Sequence, residues 1–274
     1  MHPSGDEFWT HCSQDRHRSP PLEPRHLQKR CRPNHCPAAP AMSEVQQAKL
    51  PSTGALPSIL LGMTAVTGMV DAVSFLALGH VFTANMTGNV VFLGFAIGGA
   101  AGLSVSGSLM ALICFAVGAV LGGRMTRKMI PQDSGATLAH ALVIETIFFF
   151  FAAAVSIGFT APYADHKLKI FSVIALTAVA MGLRNSVVRR LAIPDLTTTV
   201  LTLTIAGLAA DSSLAGGDNP RWQRRGAAVL AIVAGATAGA SMLRYSVAVP
   251  LLVCGLICGI CALIQMHLES KRSL

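Results

Sequence analysis

The chain has 274 residues, 52% of them apolar and 12% charged, with a mean hydropathy of +0.56 and a formal net charge of +8. A composition this apolar excludes a soluble globular domain. The basic residues beyond the N-terminal tail stand at the ends of apolar runs, where they set orientation and meet lipid headgroups. The expected partner is therefore a lipid bilayer and no nucleic acid.

Residues 1–50 read as a disordered basic tail. His2 to Pro40 is rich in Pro, Arg, His and Ser, has no apolar period and lacks the apolar stretch of a signal peptide. Cys12, His26, Cys31, His35 and Cys36 show no zinc-finger spacing, so neither a metal nor a cofactor is expected. Met42 offers an alternative natural start. The membrane domain then occupies 51–274.

Eight apolar segments follow. The first, Leu56–Leu78, carries Asp71 deep inside it. The second, Val90–Ala101, is preceded by the polar stretch Thr83–Asn89, which holds Asn85, Thr87, Gly88 and Asn89. The third, Leu103–Gly123, contains the small-residue pair Gly118 and Gly122. The fourth, Ala136–Phe159, contains Glu145 five residues after His140, a spacing that puts the two on different helix faces and gives no proton relay. The fifth, Ile170–Val188, contains Arg184 and Asn185. The sixth, Thr197–Ala210, opens on Pro194, Asp195, Thr197, Thr198 and Thr199. The seventh, Gly226–Met242, repeats the small-residue pair at Gly235 and Gly239, and the eighth is Val247–Met266. Cys114, Cys254, Cys258 and Cys261 lie inside these runs and read as small core residues. A hydrocarbon core of about 30 Å needs about 20 helical residues, so the second and sixth segments are too short to cross comfortably.

The segments divide into halves, about 55–160 and 168–267, that look like one duplicated unit. Gly68-Met-Val-Asp-Ala-Val73 lies over Gly182-Leu-Arg-Asn-Ser-Val187, Leu76-Ala-Leu78 over Leu191-Ala-Ile193, and Gly118-Ala-Val-Leu-Gly122 over Gly235-Ala-Thr-Ala-Gly239. Lys and Arg counts then choose a topology. If all eight segments cross, seven basic residues lie on one side and six on the other, which is no bias. If the second and sixth dip in and return, ten fall inside, against Lys167, Lys169 and Arg244 outside. The expectation is an all-α polytopic membrane protein with six crossings, two short re-entrant or broken helices and an inverted repeat. It would lie in the cytoplasmic membrane with both termini on the inner side.

Paired interrupted segments in matching halves point to a transport site, and irregular backbone at membrane depth is tolerated where it is buried or lines a wet cavity. Asp71, Asn85, Thr87, Asn89, Asp195, Thr197, Thr198 and Thr199 are the expected lining of a path for a small polar solute or ion. Two helix N-termini at the midplane favour an anion or a polar solute, a preference that Asp195 partly cancels. Asp71 and Arg184 occupy corresponding depths in the two halves, where a pair would let each charge offset the other's desolvation. The glycine pairs predict close packing more than dimerisation, although the sequence leaves homo-oligomerisation open.

No HExxH, GxSxG or P-loop pattern is present, and Ser74 near Asp71 is a poor nucleophile candidate, so no enzyme is expected. Three blocks carry a family resemblance: Val70-Asp-Ala-Val-Ser-Phe-Leu76, Phe82-Thr-Ala-Asn-Met-Thr-Gly-Asn89, and Met181-Gly-Leu-Arg-Asn-Ser-Val-Val-Arg-Arg-Leu191 with Pro194-Asp-Leu-Thr-Thr-Thr-Val200. From Leu56 onward the chain resembles the YoaK-like family of small multipass membrane proteins, grouped under a domain of unknown function. The resemblance implies a membrane location and a fold, without a substrate. Family members often carry Gln where this chain has Arg184, so it implies no general Asp71–Arg184 pair. A small-solute transporter or channel is the functional expectation. The rival is a non-transporting membrane scaffold or stress-associated protein, in which the same polar residues only join helices.

Overall fold

The computed structural model describes residues 56–129, 134–159, 167–191, 201–220 and 222–271. The tail 1–50, with Met42, and the stretch carrying Asp195, Thr197, Thr198 and Thr199 lie outside the described residues. Among the described residues the helices are α1 (Leu56–Ala77), α2 (Met86–Ile97), α3 (Val105–Met129), α4 (Ser134–Val155), α5 (Lys167–Arg190), α6 (Leu201–Ala210), α7 (Trp222–Met242) and α8 (Ala248–Ser270), and there is no strand.

Six of them, α1, α3, α4, α5, α7 and α8, are long and apolar enough to cross a membrane. At 1.5 Å per residue α1 is roughly 33 Å long, whereas α2 and α6 reach only about 18 and 15 Å. Pro57 and Pro250 stand in the first turns of α1 and α8, where a missing N–H breaks no intrahelical bond. Buried hydroxyls at Thr64, Thr67 and Thr177 donate to carbonyls one turn back, so these three are not left bare in an apolar bundle. Large apolar side chains such as Ile97, Phe151, Leu230 and Leu263 point outward, as contact with lipid requires.

Packing directions decide which segments cross. The first half of α1 (Leu56, Ile59, Leu60, Met63) shares a core with the end of α5 (Leu183, Val187, Val188), and the second half of α1 shares one with Val173 and Ile174. These two helices are therefore antiparallel. So are α4 and α8, since Gly259 lies against Thr146 and Gly255 against Phe150. Each relation needs an odd number of reversals, and the long helices alone supply three in each case. Neither α2 nor α6 adds a crossing.

Two parallel seams complete the bundle. Along α1 and α7, Gly68 meets the backbone of Ile232 and Ala236, Gly235 meets Ala65, and Gly239 meets Met69. Along α5 and α3, Gly182 meets Phe115 and Ala119, Gly118 meets Val179, and Gly122 meets Leu183. A Cβ at Gly68, Gly235, Gly182 or Gly118 would fall on a carbonyl oxygen of the opposing helix. The small-residue pairs thus pack within the chain, backbone to backbone.

Candidate functional site

The first break is built from the end of α1 backward. Gly79 (φ 91°) and His80 (φ 58°) take left-handed conformations that reverse the chain. Val81 then lies against Gly107 in the first turn of α3. The chain does not stay at that surface. The Ala84 N–H donates to Oδ1 of Asp71 at 2.9 Å, six residues before the end of α1 and so roughly 9 Å below it. From that depth α2 runs back toward the start of α3, which makes it a re-entrant helix.

Asn89 fixes the loop. It is fully buried, accepts the Phe82 N–H at 2.8 Å and donates to the Phe82 carbonyl at 2.5 Å. Its side chain thereby satisfies both backbone groups of a residue that no helix or strand serves. Asn85, the residue at the N-cap of α2, makes no side-chain cap. Gly88 sits inside α2, and its need is space: a Cβ there would meet the Phe82 ring at 2.6 Å.

A cavity of about 970 Å³ opens between α1, α2, α6 and α7, closed on one side by Phe115 of α3. Asp71, Asn85 and Thr87 line it, together with Thr67, Thr202 and Thr237. Three rings form one wall: Phe82 stacks on Phe75 at 5.2 Å and on Phe92 at 5.6 Å. Asn89 does not line the cavity. Thr202, in the first turn of α6 and just beyond the Thr197–Thr199 run, does. The first turns of the two short helices thus share one space.

The Asp71–Arg184 pair expected from the sequence is absent. Arg184 is 1% exposed, and its guanidinium lies 3.0 Å from Oε1 of the fully buried Glu145 on α4. It also donates to the Met63 carbonyl (3.1 Å) and to Thr67 Oγ1 (2.6 Å) on α1. Thr67 stands one helical turn before Asp71, so the guanidinium stops a turn short, and Asp71 is turned to the Ala84 N–H instead. Glu145, five residues from His140, shows no partner within its own segment. The available signal was two opposite charges at mid-depth in neighbouring apolar segments, and α4 and α5 do pack together. The aromatic wall has no such signal, since Phe75, Phe82 and Phe92 show no shared period in the sequence.

The family described as "Protein of unknown function (DUF1275)" matches residues 59–264, most of the chain and all the helices that build the cavity. The chain belongs to this family. Among curated proteins, this DUF1275 member is 37% identical over 154 residues to the UPF0700 transmembrane protein YoaK of Bacillus subtilis (strain 168). That match covers 56% of the chain and 65% of the relative, so it spans less than two thirds of the relative's length. No solved structure matches. Membership and the six apolar helices make this a multi-pass transmembrane protein in contact with the bilayer.

Proposed function

We propose that the protein is a small-solute transporter or channel of the cytoplasmic membrane, and not an enzyme, with its path through the cavity between α1, α2, α6 and α7. The observation that carries this reading is the shared cavity at the first turns of two short helices, lined by Asp71, Asn85 and Thr87. A pair of helices that only joined the long ones would need no polar space between them. An inverted repeat supports the same reading. The glycine seams pair α1 with α7 and α5 with α3 through corresponding glycines, and α2 and α6 hold corresponding places in each half.

The basic residues give the orientation. Arg127, Lys128, Arg189 and Arg190 end α3 and α5, and Arg224 and Arg225 begin α7, all at the end of the bundle where α8 terminates. By the positive-inside rule this end, with both termini, faces the cytoplasm. Flux through proteoliposomes tests the function. Asp71→Asn and Asn85→Ala should alter solute flux while leaving the melting temperature close to wild type. If neither changes any flux that the wild type supports, the path lies elsewhere. The scaffold rival draws on Asn89, whose bonds to Phe82 are wholly structural. It would gain if only folding and abundance respond.

A further inference from the structure

The geometry points to a substrate class: the cavity is built to receive an organic cation, a protonated amine or quaternary ammonium with an apolar body. This deepens the transport reading and rests on the same cavity. Among the described residues that line it, Asp71 is the sole ionisable one, so the only formal charge facing the space is negative. Its Oδ1 accepts the Ala84 N–H, two residues before α2 begins, and its charge opposes the preference for an anion that the first turns of α2 and α6 give the same space. A half-buried carboxylate that lines a cavity and forms no ion pair with a described residue gains from a cationic guest. Arg184, the nearest candidate to neutralise it, is engaged with Glu145, Met63 and Thr67.

The walls suit the same guest. Phe75, Phe82 and Phe92 face the same space as Asp71 and stack on one another at 5.2 and 5.6 Å, fixing their orientation. Aromatic faces attract a cation electrostatically and tolerate methyl groups, which a small hydrated metal ion does not offer. The volume of about 970 Å³ far exceeds what an inorganic ion fills and lies at the upper end of small-molecule sites. The remaining polar lining (Thr67, Asn85, Thr87, Thr202, Thr237) is neutral and suits a hydroxyl or amide on the same guest.

The test uses three isosteric probes on the purified full chain: choline, its neutral carbon analogue dimethylbutanol, and the anion dimethylbutyrate. Binding is read in detergent and uptake in proteoliposomes. Choline alone should bind. Asp71→Asn, which keeps an acceptor for the Ala84 N–H, should weaken it about tenfold or more. Phe92→Leu, away from that hydrogen bond, should weaken it about threefold through the lost ring face. Choline bound but never transported would support the cation site and sink the transport reading. Binding of dimethylbutanol or dimethylbutyrate as tight as choline's, or their uptake unaffected by Asp71→Asn, would overturn the cation inference and leave transport standing. No binding of any probe by folded, monodisperse protein would overturn the inference as well.

Discussion

Two opposite charges, buried to 1% and 0% exposure, meet where α1, α4 and α5 come together. Arg184 is served from three helices, by Glu145 on α4, Met63 and Thr67 on α1, and the Met181 sulfur on α5 itself. Removing one partner leaves the other charged and bare. Arg184→Met and Glu145→Gln should each therefore lower stability by about 3–5 kcal/mol, and the double variant by distinctly less than their sum. Thermal unfolding in detergent checks this; simple additivity would mean the two do not interact. Asn89→Ala should lower stability by about 1–3 kcal/mol by leaving the Phe82 N–H and carbonyl unpaired, with Asn89→Asp failing to restore the carbonyl's donor. At this scale the sequence was partly legible. The depth of Asp71 in an apolar run marked it as special, whereas its partner could not be read. Partner choice depends on which helix faces turn together, and a charge in an apolar run says nothing of that.

Helix limits and hydrocarbon limits are different quantities, and the distinction explains where the apolar runs mislead. The third run ends at Gly123, yet α3 continues to Met129 through Arg124, Arg127 and Lys128. Lys167 and Lys169 likewise open α5 before the apolar stretch begins. Cations in a last turn complement the helix dipole and reach headgroups, so they stop insertion without stopping the helix. The shortness of the second and sixth segments was legible because a crossing has a minimum length. The four-residue head start of α2 at Met86 was not, because it depends on Asn89 reaching back to Phe82. The glycine pairs could be read as packing faces, but their partners follow only from the fold. Gly235→Ala and Gly118→Ala should each cost about 1–3 kcal/mol by driving a methyl into opposing backbone. Gly94→Ala, where a Cβ meets nothing within 4 Å, should be neutral or slightly stabilising in the same melting assay.

For the molecule as a whole, helix directions and charge distribution predict one accessibility map. Single cysteines at Arg127, Arg190 and Ala215 should react with an impermeant thiol reagent only from the cytoplasmic side. Cysteines at His80 and Tyr245, both exposed at the opposite ends of their helices, should react only from the other. Reaction of Arg127 and Ala215 from opposite faces would mean that α2 and α6 do not both turn back. The segment count and the class of fold were readable from hydropathy, because lipid imposes that pattern on any bundle. The exchange of partners between halves was not, since each half seen alone pairs its helices in sequence order.

That exchange bears on how the protein is made. The seam of α1 is completed by Gly235 and Gly239 on α7, so α1 is made long before its seam partner. At ordinary translation speeds the wait is on the order of ten to thirty seconds. Throughout it, the bare backbone stripe at Gly68 must be sheltered by lipid or by an insertion chaperone. A ribosome that stalls before α7 would leave the glycine seam of α1 and the packing of α4 on α8 unfinished, with the seam of α3 and α5 and the Arg184 junction already made.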